Sequence, residues 1–453
     1  MTYKRYKMLQ KYINGEAQEE YKQGELIDDT TYETLEDCNE GNQNPDKPIE
    51  GYIYQWVTVS GEYVCNDVNK YTKEKEQKSS NNGVTWTDTG RTRQGTLIEV
   101  NSADCGYVPP TPGGYENQYL TFESLDDNNK IYLSTGYYHT LTVYISLDNG
   151  ITWTEKKARN MDALVTLNRG EKMLIKGNNA AYASSASAYS HFQVTKPYNV
   201  SGNIMSLVYG DNFIGQTQLN TSYTFASLFA GYIKYEDRRG TLISAENLIL
   251  PATSSYSYYN LFGSESHLTT PPKLTATTLA NGCYQFMFSG CTSLTTAPEL
   301  PATTLVSNCY RSMFDVCTSL ATAPELPATT LANYCYYQMF YGCTALTTAP
   351  SVLPATTLAA YCYYNMFDGC TSLTTAPELP AETLVDYCYA GMFYNCASLN
   401  YIKAMFTTRP TSTYTKNWVS GVASSGTFVK NSSATWNVTG VNGIPEGWTV
   451  ING

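Results

Sequence analysis

The chain has 453 residues, of which 42% are hydrophobic and 13% aromatic, with 40 Tyr, but only 15% are charged. That much apolar surface excludes disorder, and the length calls for several modules rather than one core. The net charge of −11 excludes attraction to phosphate backbones, and three dispersed histidines, His139, His191 and His267, leave zinc binding and general-base catalysis without their usual side chains. The expectation is a non-enzymatic scaffold with no cofactor, no metal and no nucleic-acid partner.

In chain order, the basic start MTYKRYKMLQKYINGEAQEEYKQGELI has no apolar stretch behind it, so no secretory signal is expected. No run approaches the ~18 apolar residues of a membrane helix, so no membrane insertion is expected either. Lys11-Tyr12-Ile13-Asn14-Gly15 predicts a hairpin turn, and the acid pair Asp28-Asp29 reads as a solvated loop. Pro45 to Pro48 divides a leader from a second β module, and the linker Val108-Pro109-Pro110-Thr111-Pro112-Gly113-Gly114 closes the N-terminal segment 1–108. Alternation in Tyr119-Leu120-Thr121-Phe122 and Leu141-Thr142-Val143-Tyr144-Ile145 predicts an antiparallel, β-sandwich-like domain over 115–205. Asp126-Asp127 there reads as a second solvated acid pair. Ser146 to Trp153 matches the pattern S-x-D-x-G-x-T-W, and Ser79 to Trp86 matches it with Asn81 in place of the Asp. This resembles the Asp-box hairpins of sialidase propellers, where the motif is a structural turn. No arginine cluster or Tyr-acid nucleophile accompanies it.

From about residue 260 the chain repeats itself. Met-Phe pairs at Met287, Met313, Met339, Met366 and Met392 set steps of 26, 26, 27 and 26, the longer step being due to Val352. Leu261-Phe262 and Leu228-Phe229 read as eroded earlier copies. In one copy Leu331, Cys335 and Met339 follow i, i+4, i+8, which predicts a helix of about three turns, capped by Thr329 or Thr330 and stopped at Gly342. Leu346 to Pro350 predicts a short strand stacking in parallel with its equivalents, each ended by Pro298, Pro324, Pro350 or Pro377. Val316 replaces the stop glycine, so its turn is expected to differ.

At these residues the chain resembles the BspA-like leucine-rich repeats, in which a helix ending in aromatic-x-x-Cys joins a strand beginning Ser-Leu-Thr. Here the phrase is Met287-Phe288-Ser289-Gly290-Cys291-Thr292-Ser293-Leu294-Thr295-Thr296. The resemblance implies an α/β leucine-rich-repeat solenoid over 206–400, with repeats of about 26 residues, followed by a C-terminal cap over 401–453. The closing segment, with Trp418, Trp436 and Gly443-Ile444-Pro445-Glu446-Gly447-Trp448, is similar to tails following such arrays in gut Bacteroidales proteins and their phages. The Tyr-rich N-terminal segment resembles structural proteins of crAss-like phages. The resemblance therefore implies a virion fibre or appendage of the head or tail, assembled in the host cytoplasm. It would join other virion proteins through its N-terminal modules, contact a host surface protein or glycan, and form a homo-oligomer. A bacterial cell-surface adhesin of the same repeat family is the alternative.

Ten of thirteen cysteines fall in two columns, Cys283, Cys309, Cys335, Cys362, Cys388 and Cys291, Cys317, Cys343, Cys370, Cys396. Two within one copy would stand ~12 Å apart along a helix, beyond the ~7 Å reach of a disulfide. Neighbours within a column stand nearer, but the cytoplasm favours buried free thiols. Cys38, Cys65 and Cys105 lie outside the array. Tyr284, Tyr310, Tyr336, Tyr363 and Tyr389 recur after the first Cys, as packing or as a binding stack. The next position varies as Gln285, Arg311, Tyr337, Tyr364 and Ala390, as solvent-facing sites do. The candidate binding residues are Tyr337, Tyr364, Tyr336, Tyr363 and Arg311.

Overall fold

The computed structural model describes residues 3–13, 16–32, 53–66, 69–79, 86–99, 114–135, 140–158, 163–231, 241–251 and 253–453. It is β-rich: among the described residues nineteen strands stand against one four-residue α-helix, Ser206–Tyr209. No helix among them is long and apolar enough to cross a membrane. The chain forms two compact units, Met1–Pro109 and Pro110–Gly453.

In the first unit β1 (Tyr3–Ile13) pairs antiparallel with β2 (Glu16–Tyr32), Ile13 standing opposite Glu16. Asp28 and Asp29, expected in a loop, lie within β2. They occupy the stretch between the Lys4–Thr31 and Tyr6–Leu26 pairs, where the ladder shifts register and the strand nevertheless continues. A meander of β3 (Ile53–Asn66), β4 (Asn69–Ser79) and β5 (Thr87–Glu99) completes the unit, with Cys65 in β3 opposite Lys70. The Asn14-Gly15 turn, the Pro45 to Pro48 divider, most of the Ser79 to Trp86 motif, the linker residues 108–113, Cys38, Cys105 and His139 lie outside the described residues.

The second unit opens with two sheets. One has the order β16-β15-β6-β11-β8-β9, from Thr241–Ile249, Pro197–Asn203, Leu120–Ser124, Lys172–Gly177, Leu141–Ser146 and Thr154–Ala158. The other has the order β10-β7-β14, from Ala163–Leu167, Asn129–Ser134 and His191–Val194. Alternating apolar residues meet between them, with the Phe122 and Phe192 rings 4.7 Å apart. The sheet passes the expected end near residue 205, because β16 adds to it in parallel from Pro197↔Thr241 to Asn203↔Ile249. β16 also carries the first repeat, through the bridge Ser244↔Thr270.

Among the described residues from 253 to 400 the repeats contain no helix. In the copy where one was expected, Tyr334, Gln338 and Gly342 have left-handed φ of 60°, 52° and 68°, so every fourth residue breaks a helical path. Alternate amides close tight turns: Cys335 N–H donates to Ala332 O at 3.2 Å and Met339 N–H to Tyr336 O at 3.2 Å. The amides between them reach the next copy: Tyr336 N–H donates to Cys362 O at 3.1 Å, Gln338 N–H to Tyr364 O at 2.8 Å and Phe340 N–H to Met366 O at 2.9 Å. Gly342 continues this ribbon rather than stopping it. Val316 does not differ from its equivalents either. Its φ of 56° matches the glycines, and its side chain is 40% exposed, so it clears its neighbours and carries only the backbone strain, ~1–2 kcal/mol. The segment Thr347-Thr348 and its equivalents are joined by single parallel bridges, Thr296↔Thr322 and Thr322↔Thr348.

One apolar core runs from Leu120 to Trp448, and the segments expected as separate domains at 115–205, 206–400 and 401–453 all contribute to it. Phe229, Phe262, Phe288, Phe314, Phe340, Phe367 and Phe393 form a stack with centroids 5.5–5.8 Å apart. The stack meets the sheets where Phe192 faces Phe229 at 5.7 Å, and ends on Trp418 at 6.1 Å. Beyond it lies a parallel sheet of β17 (Tyr401–Ala404), β18 (Thr427–Lys430) and β19 (Thr449–Asn452).

Glu265 occupies the position that later copies fill with Cys291 and its equivalents, and it is 2% exposed, accepting a hydrogen bond from Leu242 N–H at 3.3 Å. Burial raises its carboxyl from the ordinary 4.5 to about 8. A proton held more tightly in the folded state favours folding fully below the unfolded value, and that contribution is lost as pH rises through the folded one. Asp315 and Asp368, raised by burial to about 6, act with the same sign but finish lower. His191, lowered by burial from 6.5 to about 4, acts oppositely and only in that acid range. Among the described residues the loss between pH 6.5 and about 8 therefore belongs to Glu265. Denaturant midpoints should fall over this interval in the wild type and stay level in Glu265→Gln; equal slopes would refute the assignment. Met339→Ala should cost ~2–5 kcal/mol, because Met339 is fully buried, while Tyr337→Ala costs little. Equal unfolding curves for these two variants would contradict this packing.

Candidate functional site

The five candidate residues separate into two environments. Tyr336 and Tyr363 are each 1% exposed and belong to an inner stack, Tyr258, Tyr284, Tyr310, Tyr336, Tyr363 and Tyr389, with centroids 5.7–6.0 Å apart. Burial raises their phenols well above the ordinary range. A ring closed to solvent cannot meet a partner, so these two are core residues, not binding residues; the recurrence of Tyr at this position is packing.

Arg311, Tyr337 and Tyr364 do come together, on the outside. Tyr337 and Tyr364 stack at 4.9 Å with an interplanar angle of 4°, and the Arg311 guanidinium lies 4.6 Å from the Tyr337 centroid. Beside them runs a second outer column that the sequence reading missed. Tyr334, Tyr361 and Tyr387 stack at 4.8 Å per step, and each of the first two lies against the neighbouring column, Tyr334–Tyr337 at 5.8 Å and Tyr361–Tyr364 at 5.7 Å. The alternating ribbon explains both columns. Residues bonded within the turns and residues bonded across copies present their side chains in register, so a Tyr repeated at one position must stack on itself. The signal was present: Gly282, Asn308, Tyr334, Tyr361 and Tyr387 vary between copies just as Gln285, Arg311, Tyr337, Tyr364 and Ala390 do. The resulting face holds five tyrosines with a guanidinium at one end, suited to contact rather than to bond breaking.

The Asp-box segment is a turn between β8 and β9. Asp148 accepts Thr152 N–H at 2.9 Å and the Thr152 hydroxyl, and Ser146 Oγ donates to it at 2.7 Å. These donors hold its carboxyl at about 2. Its acceptors are occupied in closing the loop. Trp153 instead caps a small cluster, with Lys176 Nζ 4.0 Å from its centroid and paired to Asp211, which also accepts the Tyr119 hydroxyl at 2.6 Å. Asp126 pairs with Arg169 at 3.7 Å and Lys196 at 3.6 Å in a surface loop. Among the described residues no three His, Cys, Asp or Glu side chains converge as metal ligands.

All ten array cysteines are free and buried. In the second column each thiol donates to a carbonyl of the preceding copy, as Cys317 Sγ–H to Phe288 O at 3.1 Å and Cys343 Sγ–H to Phe314 O at 3.1 Å. Burial raises both columns, Cys283 and Cys335 to about 12, which removes the reactive thiolate. No protein-family model, no curated protein and no solved structure matches the chain.

Proposed function

We propose that this chain is a non-enzymatic virion protein of a phage, a head or tail fibre or appendage. In this reading its repeats form a BspA-like solenoid in which ribbons of turns stand where helices were expected, and the solenoid is displayed for adhesion to a host surface protein or glycan. The N-terminal modules would join other virion proteins in a homo-oligomer assembled in the host cytoplasm, without nucleic-acid contact or membrane insertion. The observation that carries the reading is the outer face of Tyr334, Tyr337, Tyr361, Tyr364, Tyr387 and Arg311. Tyr and Arg are the side chains that dominate contact energy in interfaces, because each offers a large rigid area and polar edges together. The continuous aromatic core beneath supports it by fixing the columns before any partner arrives, which lowers the entropy cost of binding.

Competitive adsorption of particles tests this. Particles carrying Tyr337→Ala with Tyr364→Ala should adsorb to host cells about tenfold or more slowly, a hot-spot ring being worth ~2 kcal/mol, while assembling normally. Equal adsorption by mutant and wild type would overturn the role of this face. Incorporation of a 114–453 fragment into particles would reverse the assigned polarity.

A further inference from the structure

We infer that the outer tyrosine face recognises a carboxylate-bearing glycan, with Arg311 as the residue that reads the acid. The inference rests on the reading of this face as the contact surface and names the chemistry of its partner. In a chain of net charge −11, Arg311 has no ion-pair partner among the described residues. Its guanidinium lies over the Tyr337 ring, 4.6 Å from the centroid, with the Tyr334 centroid 5.9 Å away. Nη1 donates only a long bond, 3.4 Å, to Asn308 Oδ1, and Nε is shielded by its surroundings with no acceptor. The hydrogen-bonding capacity left to this side chain therefore lies on its Nη groups. A planar guanidinium seated against a tyrosine ring, with Nη donors left over, is shaped for a carboxylate.

The tyrosines define what carries that carboxylate. Their steps of 4.8–4.9 Å leave no room for a sugar ring between two of them, so the inner ring faces are closed and the partner meets edges and hydroxyls. These edges repeat at one interval along the array, which suits a linear polymer with hydroxyls along its length; the surface of a globular protein has no such translation. The exposed Lys416 lies four copies further along the Arg311 column, past Tyr337, Tyr364 and Ala390, and offers a second cation to such a chain. Asp386 and Asp368 beside the tyrosines oppose a dense polyanion and favour one with spaced carboxylates.

Isothermal titration calorimetry on the full chain tests the assignment, with a hyaluronan oligosaccharide, whose carboxylates stand on alternate sugars, the same oligosaccharide after its carboxyls are reduced to alcohols, and sialyllactose as a second carboxylate source. At least one acidic saccharide should bind, weakening as salt rises. The reduced oligosaccharide should bind at least about tenfold more weakly than its acidic form, and Arg311→Gln should remove that preference. Arg311→Lys should remove most of it, because an ammonium keeps the charge but not the fork. Both substitutions are at a half-buried surface site, and an unchanged melting curve checks that they fold. The inference is overturned if neither acid binds, if acidic and reduced forms bind alike, or if Arg311→Gln binds as the wild type does. It is also overturned if wild type associates with itself and Arg311→Gln does not, since the arginine then serves a second copy. Failure of the underlying reading shows separately, as normal adsorption of particles carrying the Tyr337→Ala and Tyr364→Ala pair.

Discussion

The hydrogen bond from every second amide of one copy to a carbonyl of the next constrains everything else in the repeats. Tyr284 N–H reaches Cys309 O, Phe286 N–H reaches Arg311 O and Phe288 N–H reaches Met313 O, at 3.1, 3.0 and 2.9 Å. The remaining amides are used inside the turns, so the ribbon leaves few polar groups without partners despite lacking both helix and long strand. These bonds fix the copies in register, and register makes like side chains stack. The extra residue Val352 is tolerated because it falls outside the ribbon: Tyr336 and Phe340 still bond to Cys362 and Met366, one number further on.

The stacked columns divide by depth. Inside, Phe and Tyr rings supply the apolar area, and the cysteines fill the gaps as small apolar groups, those of the second column donating their protons to Phe carbonyls. Outside, the same register acting on half-exposed positions builds an ordered aromatic surface from residues far apart in the chain. Backbone strain at Tyr334, Gln338, Asn308, Ser312 and Val316, each with positive φ, is offset by the core beneath and by the bonds across copies.

The β content was legible in the sequence, and so was the burial of the Met-Phe pairs, because an apolar pair recurring at a fixed interval is buried whatever the local backbone. The helix was a misreading of spacing. Leu331, Cys335 and Met339 lie four apart, which an α-helix of 3.6 residues per turn approximates, but a ribbon of four-residue turns produces the same interval without drift. Over the three steps from Leu331 to Cys343 a helix would rotate its stripe by about 120°, yet Cys335, Met339 and Cys343 all remain buried. Strict fours, with Gly, Asn, Ser or Gln at many of the intervening left-handed positions, were the available sign. Half of the contact face was visible as variation at Arg311, Tyr337 and Tyr364. Tyr334, Tyr361 and Tyr387 were hidden because a helix would have turned them elsewhere.

The central claim is that the repeats are turn ribbons bonded from copy to copy. Infrared absorption in the amide I region tests it directly, and is better suited than far-ultraviolet circular dichroism to a chain with 40 Tyr, whose rings absorb there. The account predicts a band made of sheet and turn components with almost no helical contribution. A helical component matching one three-turn helix in every copy would contradict it.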